Sequence, residues 1–266
     1  MNLPKTLLKP TLLAVALSGL AVQAQAETPE EKGLAIAKAA KASDLGWADM
    51  TAGMQMILRN AQGQESLREI RMKSLEVQDD GDKSLTVFDK PRDVKGTAFL
   101  SFSHPVGADD QWLYLPALKR VKRIASRNKS GPFMGSEFAY EDLSSFEVEK
   151  YTYKFLREEA CEGGTCNVVE QYPVDKNSGY TRRIAWTDQS KHRVWKVEFY
   201  DRKDSPLKTL TYKQYNEYLG KHWRADLMQM VNHQTGKSTD LIYANYNFQT
   251  GLKDSDFNKN TLKRAR

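Results

Sequence analysis

The stretch from residue 193 to residue 248 reads RVWKVEFYDRKDSPLKTLTYKQYNEYLGKHWRADLMQMVNHQTGKSTDLIYANYNF and predicts four successive β-strands. We place them near residues 193–200, 207–218, 222–232 and 238–248, because runs of β-branched and aromatic residues are typical of strands. Short segments rich in Asp, Gly, Ser and Pro separate the runs and predict turns. This half of the chain is therefore expected to form antiparallel sheet.

The same pattern begins near residue 67, so most of the chain is predicted to be strand. About 10–12 short strands separated by turns predict a mainly β domain, either a large antiparallel sheet or a barrel. The remaining predicted strands lie near residues 67–78, 84–89, 96–104, 110–116, 120–125, 151–158, 166–174 and 180–187.

Residues 29–61 are instead predicted to form two N-terminal helices that pack on the sheet. The first contains the Ala-rich run at 35–42, and the segment 44–47 breaks it. The second helix is predicted to contain Met54, Met56, Ile57 and Leu58.

The first 26 residues have the three parts of a secretory signal peptide. Lys5 and Lys9 give a positive start, residues 11–22 are apolar, and Ala24-Gln25-Ala26 is a cleavage site. We expect cleavage after Ala26 and export to the periplasm of a Gram-negative-type envelope. Residues 27–266 are then expected to form a single domain.

The charge of the chain does not favour a nucleic-acid partner. The net charge is +6, which falls to +4 without Lys5 and Lys9, and the basic residues are scattered among acidic ones. A weak attraction to anionic lipid or to an acidic protein surface stays open.

Two cysteines, Cys161 and Cys166, stand in the sequence CEGGTC. An even pair in an exported chain predicts a disulfide, and the two central glycines favour a tight hairpin turn. Redox chemistry is the alternative, although it normally uses the shorter C-x-x-C spacing.

The sequence contains none of the common catalytic motifs. His104, His192, His222 and His233 have no metal-ligand spacing, and neither a G-x-S-x-G motif nor a Gly-rich phosphate loop is present. We therefore predict no catalytic residues, no metal and no cofactor, and a hydrolase with an unrecognised dyad is the weakest of the open alternatives.

Large apolar side chains at alternate strand positions predict one continuous apolar face. A wide sheet with few helices either closes on itself or leaves an apolar concavity for a ligand. The residues predicted to line that concavity are Leu100, Phe102, Trp112, Tyr114, Trp195, Val197, Phe199, Met228 and Met230.

Residues 126–146 form the one long irregular stretch within the predicted sheet, and two interpretations stay open. Loops of this length in a compact domain are usually functional, so the stretch is either a lid that contacts a membrane or partner, or an irregular plug in the core. Its glycines and aromatic residues fit both, and a basic strand precedes it. The predicted lid or partner contacts are Arg120, Arg123, Phe133, Met134, Phe138 and Tyr140.

The segment from Trp112 to Leu143, WLYLPALKRVKRIASRNKSGPFMGSEFAYEDL, resembles the outer-membrane lipoprotein-sorting family, the LolA-like periplasmic proteins associated with RND/MMPL-type transporters. VWKVEFYDR (194–202), LKTLTY (207–212), NHQTGKSTDL (232–241) and the C-terminal GLKDSDFNKNTLKR (251–264) are similar to the family too. The resemblance implies an open, curved antiparallel half-barrel covered by helices and a long loop.

The resemblance also implies the function. The apolar concave face would bind a lipid or lipoprotein acyl chain and carry it across the envelope, together with an inner-membrane RND-type transporter. The alternative is a partner subunit of such a transporter that carries nothing.

Overall fold

A computed structural model describes residue 1 and residues 26–265, and it consists of one helix, seven short 3-10 helices and thirteen strands in that part of the chain. The predicted signal peptide, residues 1–26, lies almost wholly outside the described residues. The helix is α1 (Pro29–Ser43), and the strands are β1 (Asp49–Arg59), β2 (Glu65–Leu75), β3 (Lys83–Lys90), β4 (Ala98–Phe102), β5 (Asp110–Leu115), β6 (Arg120–Arg123), β7 (Tyr151–Cys161), β8 (Gly164–Pro173), β9 (Tyr180–Asp188), β10 (Val194–Asp201), β11 (Pro206–Tyr218), β12 (His222–Asn232) and β13 (Ser238–Phe248). The 3-10 helices are Pro116–Leu118, Ser126–Asn128, Phe133–Gly135, Tyr140–Leu143, Val148–Lys150, Asp254–Asp256 and Leu262–Arg264.

All thirteen strands form one antiparallel sheet in the order β6-β5-β4-β3-β2-β1-β13-β12-β11-β10-β9-β8-β7. The sheet is open and curved, as predicted, because β6 and β7 are edge strands and do not pair with each other. The first strand, β1, pairs with the last strand, β13, so the two halves of the chain meet in the middle of the sheet. Residues 124–150, which we call the crossing segment, connect one edge of the sheet to the other.

The prediction of a second N-terminal helix was wrong, because residues 49–59 form β1. Ala52, Met54 and Met56 are buried at alternate positions, which is the period of a strand. The same apolar residues also satisfy a helical spacing over a few positions. Hydrogen bonding to β2 on one side and to β13 on the other decides in favour of a strand.

Helix α1 begins at a capping box and packs on β7. The side chain of Thr28 accepts a hydrogen bond from the Glu31 N–H at 3.2 Å, and the Glu31 carboxylate accepts one from the Thr28 N–H at 2.9 Å. At Gly33 a Cβ atom would come within 2.9 Å of the Phe155 backbone nitrogen. The absence of a side chain there lets the helix approach the edge strand closely.

The two faces of the sheet have different coverings. The face toward α1 and the crossing segment, which we call the inner face, carries a cluster of buried apolar residues that includes Met56, Phe99 and Phe133. The opposite face, the outer face, is covered over β3 to β5 by the C-terminal segment, whose Phe257 and Leu262 are buried there. None of the helices in the described part of the chain combines the length and apolar character needed to cross a membrane.

The predicted disulfide is confirmed. Cys161 and Cys166 are bonded across the β7–β8 hairpin, and their Cα atoms are 5.8 Å apart. Gly163 lies in the turn, where a Cβ atom would come within 2.3 Å of the Trp195 indole nitrogen. The hairpin turn is therefore packed against β10.

Replacing both cysteines by serine should lower the free energy of unfolding by about 2 kcal/mol, because the bond closes only a short loop. The inner face should keep its shape, since the bond lies at the tip of the β7–β8 hairpin. Urea unfolding of the double variant beside the oxidised protein measures the loss, and a loss well above this value would contradict the estimate.

Candidate functional site

The inner face encloses a cavity of about 640 Å³. This volume is within the range of about 300–1,000 Å³ that is typical of small-molecule sites. Its walls come from α1, from the strands β1 to β4 and β7 to β13, and from the crossing segment. The cavity is thus the part of the concavity that the crossing segment does not fill.

Methionine is the most distinctive component of the apolar wall. Five of the eight methionines in the chain line the cavity: Met50, Met54, Met56, Met72 and Met228. Because the unbranched thioether side chain adopts many shapes, a wall of this kind can adjust to apolar ligands of different outline.

Tyrosines of β11 and β13 add polar tips to this wall. Tyr212, Tyr215, Tyr243 and Tyr246 line the cavity, and the Tyr215 hydroxyl donates to the Val194 carbonyl at 2.5 Å. Burial raises the pKa of Tyr212 to about 12 and also raises the pKa of Tyr243. The phenols are therefore neutral at physiological pH, and the wall that they form is uncharged.

Charged residues at the wall are mostly paired within the protein. Arg193 donates to Asp188 at 2.8 Å, and Arg224 donates to Asp44 at 2.5 Å. Trp223 lies beside the first pair, with the Arg193 guanidinium carbon 4.7 Å from its ring centre. These pairs fix the turns around the cavity and leave little net charge there.

The crossing segment is attached to the inner face along its length. Phe133 packs against Phe88 of β3 and Phe99 of β4, with ring centres 5.9 and 5.1 Å apart. Farther along, the Glu137 N–H donates to the Thr239 hydroxyl of β13 at 3.0 Å. The segment therefore covers the inner face from β3 to the second half of the sheet.

A buried ion pair anchors the same segment near β11. The Lys208 ammonium donates to the Asp142 carboxylate at 2.7 Å and to the Glu137 carbonyl at 2.8 Å. Asp142 also accepts from the Tyr180 hydroxyl at 2.8 Å. Only 5% of each charged side chain of the pair is exposed, so each charge depends on the other.

Burial also affects Glu141, the residue before Asp142. Its carboxylate accepts from the Gly179 N–H at 2.8 Å and from the Ser178 hydroxyl at 2.9 Å. Burial and the nearby charge of Asp142 raise the pKa of Glu141. Both acidic residues thus join the crossing segment to the sheet.

The structure places some of the predicted cavity residues in the cavity wall. Val197, Phe199 and Met228 line it. Met230 is fully buried in the apolar cluster of the inner face but does not line the cavity. These residues have the alternation expected of the inner face.

Five other predicted cavity residues lie elsewhere, and their assignment to the inner face was wrong. Leu100, Phe102, Trp112 and Tyr114 point to the outer face and pack under the C-terminal segment. In β4 it is Phe99 that faces inward, so the choice between the two faces was inverted for β4 and β5.

Trp195 is the fifth of these residues. A bulge between Val194 and Lys196 interrupts the alternation of β10. Val194 therefore lines the cavity, while Trp195 packs with Cys166, Trp186 and other residues outside it.

The predicted lid contacts fall into two groups. Phe133 and Phe138 are buried, with 1% and 2% exposure, and Met134 and Tyr140 pack against the same cluster. Arg120 and Arg123 are exposed on the edge strand β6, where Arg123 is paired with Asp110.

Sequence reasoning missed the contribution of β1 and of β9 to the site. Met50, Met54 and Met56 line the cavity from β1, and the alternation of Ala52, Met54 and Met56 is the signal that predicts them. Arg183 of β9 also lines it, and no sequence pattern distinguishes it from the adjacent Arg182.

Comparison with known proteins identifies the family. A family model described as an uncharacterized protein matches residues 80–264, and no curated protein matches the chain. A candidate outer membrane lipoprotein-sorting protein domain from Vibrio parahaemolyticus is 64% identical, with 88% of this chain and 100% of that chain covered and a TM-score of 0.87.

Two further solved structures are similar. A DUF1329 family protein from Desulfovibrio piger is 28% identical, with 88% of this chain and 99% of that chain covered and a TM-score of 0.83. A LolA superfamily protein from Nitrosomonas europaea shares the fold, at 21% identity and a TM-score of 0.68, with 86% of this chain and 98% of that chain covered. The fold is thus LolA-like, and the chain belongs to the outer-membrane lipoprotein-sorting family.

Proposed function

We propose that this protein is a non-enzymatic carrier that holds the acyl chain of a lipid or lipoprotein in its inner cavity. The observation that supports it most is the 640 Å³ cavity with its methionine wall, in a fold shared with a lipoprotein-sorting domain. The wall offers a large apolar surface, and most of the charged residues around it are engaged in ion pairs.

Such a carrier is needed because an acyl chain in water has a large free-energy cost. Exposing a chain of about 15 methylenes to water costs on the order of 12 kcal/mol, at about 0.8 kcal/mol for each methylene. An apolar cavity that takes up most of this free energy lets the chain cross an aqueous compartment. The predicted signal peptide and the disulfide both fit the periplasm, where disulfides persist.

An inner-membrane RND/MMPL-type transporter is the proposed partner, on the basis of the family resemblance. The exposed basic residues of β6, which include Arg120 and Lys122, offer it or an anionic membrane a surface of matching charge. The competing function, a transporter subunit without cargo, has one observation in its favour. Phe133 and Phe138 of the crossing segment already fill part of the inner face.

A substitution that fills the cavity tests the carrier function. Met228→Trp should weaken the binding of cis-parinaric acid, a fluorescent fatty acid, by about tenfold or more, because the larger ring occupies space in the cavity. The same change at the next position, Leu227→Trp, is the control, since Leu227 faces the outer side of β12.

Fluorescence titration of the purified protein gives both affinities. The carrier function is contradicted if the unsubstituted protein does not bind the probe, or if Leu227→Trp weakens binding as much as Met228→Trp. In the first case the subunit function without cargo becomes the better account.

A further inference from the structure

Arg183 brings a cationic side chain into the wall of the cavity. It lies on the inner face of β9, where it pairs with Phe199 of β10 and with Gln171 of β8. Its Nε–H donates to the Gln171 side-chain oxygen at 2.5 Å. Its guanidinium carbon is 4.0 Å from the centre of the Tyr151 ring. The guanidinium is thus held at one end and stacked on one face, which fixes its orientation.

Arg183 differs from the other two arginines of the cavity wall in its partners. Arg193 and Arg224 are each paired with a carboxylate, Asp188 and Asp44. Within residues 26–265, no carboxylate oxygen lies within 4.0 Å of the Arg183 guanidinium nitrogens, and the two Nη groups have no hydrogen-bond acceptor. Its charge is therefore uncompensated at short range.

Two acidic residues of the crossing segment that line the cavity, Glu141 and Asp142, are engaged elsewhere. Asp142 is bound to Lys208 and Tyr180, and Glu141 is bound to Ser178 and Gly179. Neither carboxylate is therefore available to pair with Arg183 without breaking these bonds.

A partly buried cation without a counter-ion is unfavourable unless water or a ligand compensates it. The planar guanidinium edge matches a carboxylate or a phosphate group, which can accept two parallel hydrogen bonds. Most other charged residues of the wall are paired within the protein. A carboxylate or phosphate bound at Arg183 would therefore orient an amphiphile, with its alkyl chain against the apolar part of the wall.

We infer that the cavity prefers anionic amphiphiles, and that Arg183 binds the carboxylate or phosphodiester of the ligand while its alkyl chain lies along the methionine wall. This inference rests on the proposed carrier function and adds the chemical class of the cargo. The ligand is an acidic lipid rather than an uncharged one.

The test compares two probes that share one chain, cis-parinaric acid and its methyl ester. Fluorescence titration should show that the unsubstituted protein binds the acid at least about tenfold more tightly than the ester, which corresponds to about 1.4 kcal/mol. Arg183→Met should remove this preference by weakening the binding of the acid, and it should leave the binding of the ester nearly unchanged.

Arg182→Met is the matched control, because it removes the same charge at the neighbouring position. Arg182 lies on the outer face, where it is paired with Glu170 and Asp204 and stacks on Tyr200. Arg182→Met should keep the preference for the acid.

Arg183→Lys serves as a second variant in case Arg183→Met does not fold. Lysine keeps the charge but loses the planar edge. We therefore expect its preference for the acid to lie between that of the unsubstituted protein and that of Arg183→Met.

A competition experiment identifies the anionic group. Oleate and lysophosphatidylglycerol are each tested for displacement of bound cis-parinaric acid, and oleyl alcohol is the uncharged comparison. Displacement by oleate alone assigns a carboxylate, and displacement by lysophosphatidylglycerol assigns a phosphodiester. Either result supports the inference if oleyl alcohol displaces the bound cis-parinaric acid at least about tenfold more weakly.

The outcomes separate this inference from the carrier function. If neither probe binds, the carrier function fails, and the inference fails with it. If acid and ester bind equally well, or if Arg183→Met and Arg183→Lys keep the full preference for the acid, the carrier function stands and the role of Arg183 is refuted.

Discussion

Replacing Lys208 by methionine is expected to lower the free energy of unfolding by about 3–5 kcal/mol, because it leaves the charge of Asp142 buried without its cation. The Lys208 ammonium is also 5.3 Å from the ring centres of Tyr180 and Phe199, so the substitution also removes a cation from this aromatic site. Urea unfolding measures the loss as a lower midpoint at an unchanged slope.

Two further variants show whether the loss comes from the buried pair. Lys90→Met removes a lysine from the exposed pair with Glu69, in which 68% of the lysine side chain is accessible, and it should cost less than about 1 kcal/mol. The double change Lys208→Met with Asp142→Asn removes both charges and should recover much of the stability. If Lys208→Met lowers the free energy of unfolding no more than Lys90→Met does, the loss does not come from the buried pair.

The strands of the second half of the chain could be predicted from the sequence for a physical reason. Strands β8 to β13 are long, and segments rich in Asp, Gly, Ser and Pro bound them. In these segments the local sequence pattern and the pairing with neighbouring strands both favour a strand. In β1 they do not agree, because the spacing of Met54, Ile57 and Leu58 also fits a helix. The pairing that decides it involves β13, about 190 residues later in the sequence.

The faces of the strands could be predicted less well than their positions. Alternation shows which residues share a face, but it does not show which face is inward. In β4 and β5 the C-terminal segment supplies Phe257 and Leu262 as an apolar cover for the outer face. Both faces are therefore apolar, and the larger side chains, Trp112 and Tyr114, lie on the outer one. In β10 the bulge between Val194 and Lys196 places Trp195 outside the cavity, whereas Val197 and Phe199 face inward as predicted.

The irregular stretch 126–146 was predicted correctly as a break in the sheet, and the topology explains its length. Because β1 and β13 pair in the middle of the sheet, β6 and β7 are at opposite edges. The connection between them must cross the sheet, and it crosses the inner face. A long connection is thus required by the strand order, and its length alone does not identify a lid.

Replacing Phe133 by alanine separates a lid from a fixed part of the core. The ring contacts Phe88, Phe99 and Tyr140, with centre distances of 5.1–5.9 Å, and removing a buried phenylalanine costs about 3–5 kcal/mol. If the crossing segment opens as a separate unit, this loss appears as amide hydrogen exchange in residues 129–146 that is faster by a factor of about one hundred to several thousand. Exchange in β8 to β12 should remain nearly unchanged.

Hydrogen exchange followed by mass spectrometry measures both regions in one experiment. Met134→Ala is the control, since Met134 is only partly buried, and its backbone carbonyl, which accepts from Arg68, is kept. It should change exchange in the segment far less than Phe133→Ala does. Bound cis-parinaric acid should alter exchange in the same residues, because Phe133 and Phe138 border the cavity. Faster exchange throughout the sheet in Phe133→Ala, with no change on adding the fatty acid, would mean that the crossing segment is part of the core and does not open.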